Sequence, residues 1–189
     1  MKRKSSSSPS WTDVKPTVTN MDANHLVKLV ADLYRFSKEN QTFLHTRFGV
    51  GEDPLATYKK TIAECMYPDL FGNKPVHIAK AKKAISAYSK ATGDPLGEVE
   101  LMVTFAEYGN KFTVECGDMD EAFYDSLNSM YRRVIKKVLR LPEEQKDGYK
   151  GRLKEIMTSS SGIGWGYHDM LADDYYSAFP ERRPGAAVD

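Results

Sequence analysis

The feature that most constrains this chain is rhythm: apolar residues recur three and four positions apart almost throughout, and sustained two-residue alternation is nearly absent. A period near 3.6 specifies amphipathic helices, whereas a sheet needs a period of two. Leu26, Leu29, Val30 and Leu33 mark a helix over 22–36. Ser37 can cap a second, through Phe48, with Phe43, Leu44 and Phe48 on its buried side. Asp53-Pro54 and Asp94-Pro95 each place a capping acid before a proline in the first turn, and open helices reaching Met66 and Cys116. Ile78, Ala81, Ile85 and Tyr88 mark another over 76–91. Asp118 with Glu121 reads as an acidic capping pair for the longest helix, 119–140. Pro142 restarts the chain into a helix through Met157, and a short helix follows around 168–176.

The expected fold is therefore all-α, with about seven to eight helices arranged as a compact multi-helix bundle or a short right-angled stack of helical hairpins. Residues 10–179 form the single domain. Residues 1–9 (Lys, Arg, Ser, Pro) and the tail 180–189 lack the apolar content to offset ordering entropy and are expected to be disordered. A short turn at Ser10–Asp13 is anchored by Trp11 and ended by Pro16, and Leu70 and Phe71 pin the irregular stretch 67–75 to the core.

The 189 residues suffice to bury a core without disulfide or metal, and the two cysteines, Cys65 and Cys116, are expected as reduced, buried thiols. No apolar run approaches the ~18 residues of a membrane span, and serines stand where a signal peptide would carry its apolar segment. The expected location is the cytoplasm, with no membrane partner. His25, His45, His77 and His168 show no metal-ligand spacing, so no metal, cofactor or catalytic residue is assigned.

Charge is neutral in sum and segregated along the chain. There are 27 Lys and Arg against 26 Asp and Glu, yet residues 92–129 hold nine acids and Lys111 alone. Arg132, Arg133, Lys136, Lys137 and Arg140 occupy one sector of roughly 140° on a helix at 100° per residue. Lys80 and Lys83 extend the candidate interaction face, beside Lys82 and Lys90. Such a face can be plainly solvated, dock a protein partner, or follow the phosphates of a nucleic acid.

The glycine–aromatic stretch 161–169 is the candidate pocket: Trp165, Tyr167, His168 and Asp169, with Glu107 as a carboxylate from another helix. Its Gly-x-Gly-x-Gly spacing after a helix is not a phosphate-loop pattern. A packing connector is the competing reading.

Several stretches resemble a widespread bacterial group of small proteins known only as a domain of unknown function. They are Ala31–Tyr34, Glu39–Phe48, Ala81–Tyr88, and Leu101–Tyr131 with its Gly-Asn-Lys-Phe-Thr and Gly-Asp-Met-Asp-Glu-Ala-Phe-Tyr segments. The resemblance spans roughly residues 10–175. It implies a family and no activity, so no residue role is carried over. The leading expectation is a non-catalytic helical interaction module within a bacterial assembly. The alternatives are a nucleic-acid-associated protein using the face of 119–140, or an enzyme with a site near Gly164, His168 and Asp169.

Overall fold

A computed structural model describes residues 8–69 and 74–180, and within them the chain is all-α. Nine helices follow in order: α1 (Trp11–Thr19), α2 (Ala23–Phe36), α3 (Lys38–Phe48), α4 (Pro54–Met66), α5 (Ile78–Thr92), α6 (Pro95–Cys116), α7 (Glu121–Val138), α8 (Glu143–Ser159) and α9 (Tyr167–Ala178). That is one or two more than expected, because the two short end segments are full helices. The expected pinning by Leu70 and Phe71, and most of both expected tails, lie outside the described residues.

Local chemistry sets most boundaries. Ser37 Oγ accepts from Asn40 N–H (3.1 Å), Asp53 from Leu55 N–H (2.9 Å) and Asp94 from Leu96 N–H (3.0 Å), each satisfying a first-turn donor. Gly49 and Gly93 end α3 and α5 in the left-handed conformation that glycine adopts without Cβ strain. One cap differs from expectation. Asp120, not Asp118, caps α7, accepting from Phe123 N–H at 2.9 Å. Both acids lie within reach of the helix start, and tertiary contacts draw Asp118 away.

Helix α6 is the axis of the packing. It contacts α4, α5, α7 and α8, and α9 closes the far side against α7 and α8. Leu101, Met102, Val103 and Phe105 are fully buried, so α6 is apolar nearly all round in its central turns. Phe105, Tyr124, Tyr131, Tyr167 and Tyr175 supply the large aromatic volume of the core. Buried Tyr131 donates to Leu153 O (2.9 Å), which ties α7 to α8, and burial raises its phenol far above the usual range. Cys65 is buried as expected and Cys116 is half-buried; both are free thiols.

The first three helices behave differently. α3 packs on α5 and α2 packs on α3. Neither α1 nor α2 contains a buried residue, and Thr46 is the sole buried residue of α3. Trp11 is therefore no anchor, being largely exposed, and α1 runs through Pro16 to Thr19. Pro16 sits inside α1, where it forfeits the hydrogen bond to Thr12 O and crowds that carbonyl. Of the α2 stripe expected on a buried side, Leu26 and Leu29 are half-buried while Val30 and Leu33 are exposed, as is the ring of Phe48. Among the described residues, no helix is long and apolar enough to cross a membrane.

Candidate functional site

Three clusters contain the residues singled out by sequence, and the structure sorts them differently.

The glycine–aromatic stretch is a connector between α8 and α9. Tyr167 is buried against the Tyr124 ring, 5.1 Å between centroids. His168 Nδ1 lies 2.9 Å from Met157 O and 3.1 Å from Ser160 Oγ. A carbonyl only accepts, so the proton sits on Nδ1. Ser160 Oγ also donates to Met157 O (2.7 Å), and Ser159 Oγ to Glu155 O (2.7 Å). His168 and Ser160 thus satisfy Met157 O, one of the last-turn carbonyls of α8. His168 has no carboxylate hydrogen-bond partner among the described residues. Asp169 is exposed in the first turn of α9, where its charge suits the helix dipole.

Trp165 is half exposed (56%) and adopts φ 61°, the sole non-glycine residue with positive φ among those described. The left-handed region costs a side chain roughly 1–2 kcal/mol. Trp165 Nε1 donates to Asp118 Oδ2 (3.1 Å), while Tyr124 OH donates to Asp118 Oδ1 (2.7 Å). Donation from Tyr124 and Trp165 holds the Asp118 carboxyl below its usual range. Asp118 thus latches the connector to the start of α7. Trp165→Gly should therefore exceed Trp165→Ala in stability by about 1 kcal/mol, since both lose the indole and the glycine alone relieves the backbone. Paired urea melts check this; equal midpoints would mean that Trp165 carries no strain.

Glu107 belongs to a separate cluster, so the expected grouping with His168 is not assembled. Arg152 on α8 clamps it through two parallel bonds, Nε to Oε1 (2.6 Å) and Nη2 to Oε2 (2.7 Å). The same guanidinium donates from Nη1 to Glu100 Oε2 (2.6 Å), and Lys59 of α4 takes Glu100 Oε1 (2.6 Å). Burial pushes the Glu100 carboxyl up, but Arg152 and Lys59 outweigh it, and the net shift is downward. Tyr149, 5.7 Å beneath the guanidinium, has its phenol raised to about 12 by burial and by Glu100. This network joins α4, α6 and α8. Arg152 was missed in the sequence, although Tyr149, Arg152, Leu153 and Ile156 follow helical spacing that places it beside an apolar stripe. The groove flanking it, about 330 Å³, ends at Asn110, whose Nδ2 donates to Ser159 Oγ (2.8 Å). Asn110 Oδ1 has no partner and no solvent access, so it presents nothing to a ligand.

The basic face divides into three. Arg132 pairs with Asp174 of α9 (3.0 Å) and Lys137 with Glu98 of α6 (2.9 Å). Lys80 and Lys83 turn the other way, into a groove shared with α3 and α4. Arg133, Lys136 and Arg140 make no ion pair among the described residues. Arg133 instead shares a groove of about 290 Å³ with Lys82 and Lys90 of α5.

The largest exposed apolar area lies elsewhere, on the α2–α3 hairpin, which the sequence reading assigned to the core. Phe36 is 85% exposed and Phe48 71%, beside Val27, Val30, Leu33, Phe43 and Val50. Tyr34 OH and His45 Nε2, 3.0 Å apart, bridge the two helices. Comparison of the chain with protein-family models, curated proteins and solved structures finds no match in any of the three.

Proposed function

We propose that this chain is a non-catalytic helical interaction module, that its helices α4 to α9 form a bundle around α6, and that the α2–α3 hairpin is its docking element. One observation carries the reading: α2 bears Leu26, Leu29, Val30, Leu33 and Phe36 at helical spacing, yet buries none of them. An amphipathic helix gains its stability from covering that stripe. Among the described residues Leu26 and Leu29 are half-buried, whereas Val30, Leu33 and Phe36 stay exposed.

The occupant that fits is a second copy of the chain. Large apolar side chains of α2 and α3 stay exposed, Phe36 at 85% and Phe48 at 71% most of all, beside Val27, Val30, Leu33, Phe43 and, just after α3, Val50, and apolar surface left open in one region of a chain favours an interface. Two antiparallel hairpins related by a two-fold axis can bury their stripes as a four-helix bundle, an isologous arrangement that needs only this one surface. Charge does not oppose it, since Asp22 pairs with His25 and Asp32 with Arg35 on the same helix.

The test is the mass in solution, by light scattering, of the native chain and of a Leu33→Asp, Phe36→Asp variant. The native chain is expected to be dimeric. The variant is expected to be monomeric with unchanged helical content, because neither side chain is buried in the chain itself. A native chain that stays monomeric up to millimolar concentration, or a variant that still dimerises, overturns the reading.

A further inference from the structure

The groove between α5 and α7 points to a second surface, independent of the hairpin. We infer that Lys82 and Lys90 of α5, together with Arg133 and Lys136 of α7 and Arg140 in the turn after it, bind the phosphate backbone of a nucleic-acid duplex.

The first support is the pattern of ion pairing. The cations that bridge helices in the core bundle are matched: Arg152 with Glu100 and Glu107, Lys59 with Glu100, Arg132 with Asp174, Lys137 with Glu98. These five cations have no carboxylate partner among the described residues. The single acid lining their groove, Glu98, is already held by Lys137 Nζ at 2.9 Å and by Ser89 Oγ at 3.2 Å. Like charges left together on a folded surface repel one another, and a polyanion relieves that repulsion.

The second support is position. On α7, Lys136 lies between the paired Arg132 and Lys137 around the helix at 100° per residue, Arg133 beside it opens into the groove, and exposed Arg140 follows in the turn after Val138. Lys82 and Lys90 face the same groove from α5. The cations thus form a band crossing two helices, with Ser86 and Ser89 hydroxyls between them. Half-buried Lys82 already feels the neighbouring charge: burial, then Arg133, lowers its ammonium below the usual range.

The chemistry of the face selects a duplex over a single strand. Single-strand binders stack bases on exposed aromatics. Here Tyr88, Phe123, Tyr124 and Tyr131 of α5 and α7 are all buried. What remains is a charged band, suited to phosphates and indifferent to base identity.

Fluorescence anisotropy with short labelled duplex DNA, duplex RNA and a single strand of mixed sequence tests this on the full chain. Duplex binding is expected with a Kd in about the 1–100 μM range. Log K should fall with log salt at a slope between about −3 and −5, set by the cations engaged. Arg133→Glu with Lys136→Glu should weaken duplex binding at least about tenfold and flatten the slope by about 2. Both positions are exposed, so circular dichroism should be unchanged. Lys146→Glu, at a residue that pairs with Glu143 on α8, should leave binding nearly intact. DNA and RNA duplexes binding alike supports backbone recognition. Absence of duplex binding at low salt, tighter binding of the single strand, binding of polyglutamate alone, or an unaffected Arg133, Lys136 variant each overturns the inference.

Discussion

Replacing Arg152 with alanine is expected to lower stability by about 3 kcal/mol, a fall of roughly 6–12 °C in melting temperature for a domain of this size. The guanidinium touches both Glu107 oxygens and one Glu100 oxygen, with all three side chains well covered. Its removal leaves two carboxylates seven residues apart on one helix face, half desolvated, with Lys59 alone to answer them. Most of the cost is thus the charge left behind, not the bond lost. Glu107→Gln added to Arg152→Ala should therefore recover about 1 kcal/mol or more, a coupling that thermal melts of the four-member cycle would measure. Additive losses in the cycle would show that Arg152 contributes only packing. The pH dependence follows from the same contacts. Glu100 is held below its ordinary value, so its contribution is complete above the unfolded carboxylate pKa and disappears as pH falls through the lowered one.

Gly109→Val is expected to cost about 3 kcal/mol, with Gly109→Ala costing much less. A Cβ built at Gly109 overlaps Leu127 Cδ2 of α7 and comes within 3.1 Å of Met66 Cε of α4. Both neighbours are buried, and the atoms met are the ends of flexible side chains. Glycine inside a helix sacrifices about 1 kcal/mol relative to alanine, and here it permits α4, α6 and α7 to approach closely. Alanine regains that propensity but must push the terminal methyl of Leu127 aside, whereas valine adds two further carbons to the same place. Urea midpoints for the two variants check this. A valine variant as stable as the native chain would mean that the three helices separate freely.

How much of this was legible depended on how local the determining contacts are. The caps at Ser37, Asp53 and Asp94 lie within three residues of what they satisfy, and the sequence announces them. Asp118 and Asp120 are equally good local candidates, and only Tyr124 and Trp165, reached by folding, separate them. The stripe on α2 shows the same limit: periodicity tells which residues share a face, not what covers it. The basic sector of α7 was visible as a sector. Its division among Asp174, Glu98 and the open groove required α6, α9 and α5 to be in place. Nothing local to Glu107 reveals a partner, so the residue reads as a solvated carboxylate or, for an enzyme, as a neighbour of His168; its partner is Arg152, forty-five residues along the chain.

The account rests on α2 finding cover outside its own chain. Hydrogen exchange of the α2 amides, followed at increasing protein concentration, examines this directly. Protection over Ala23–Phe36 should rise with concentration while that of α6 stays high and constant. Protection of α2 that is equally strong at every dilution would mean that the helix needs no second copy, and would contradict the account.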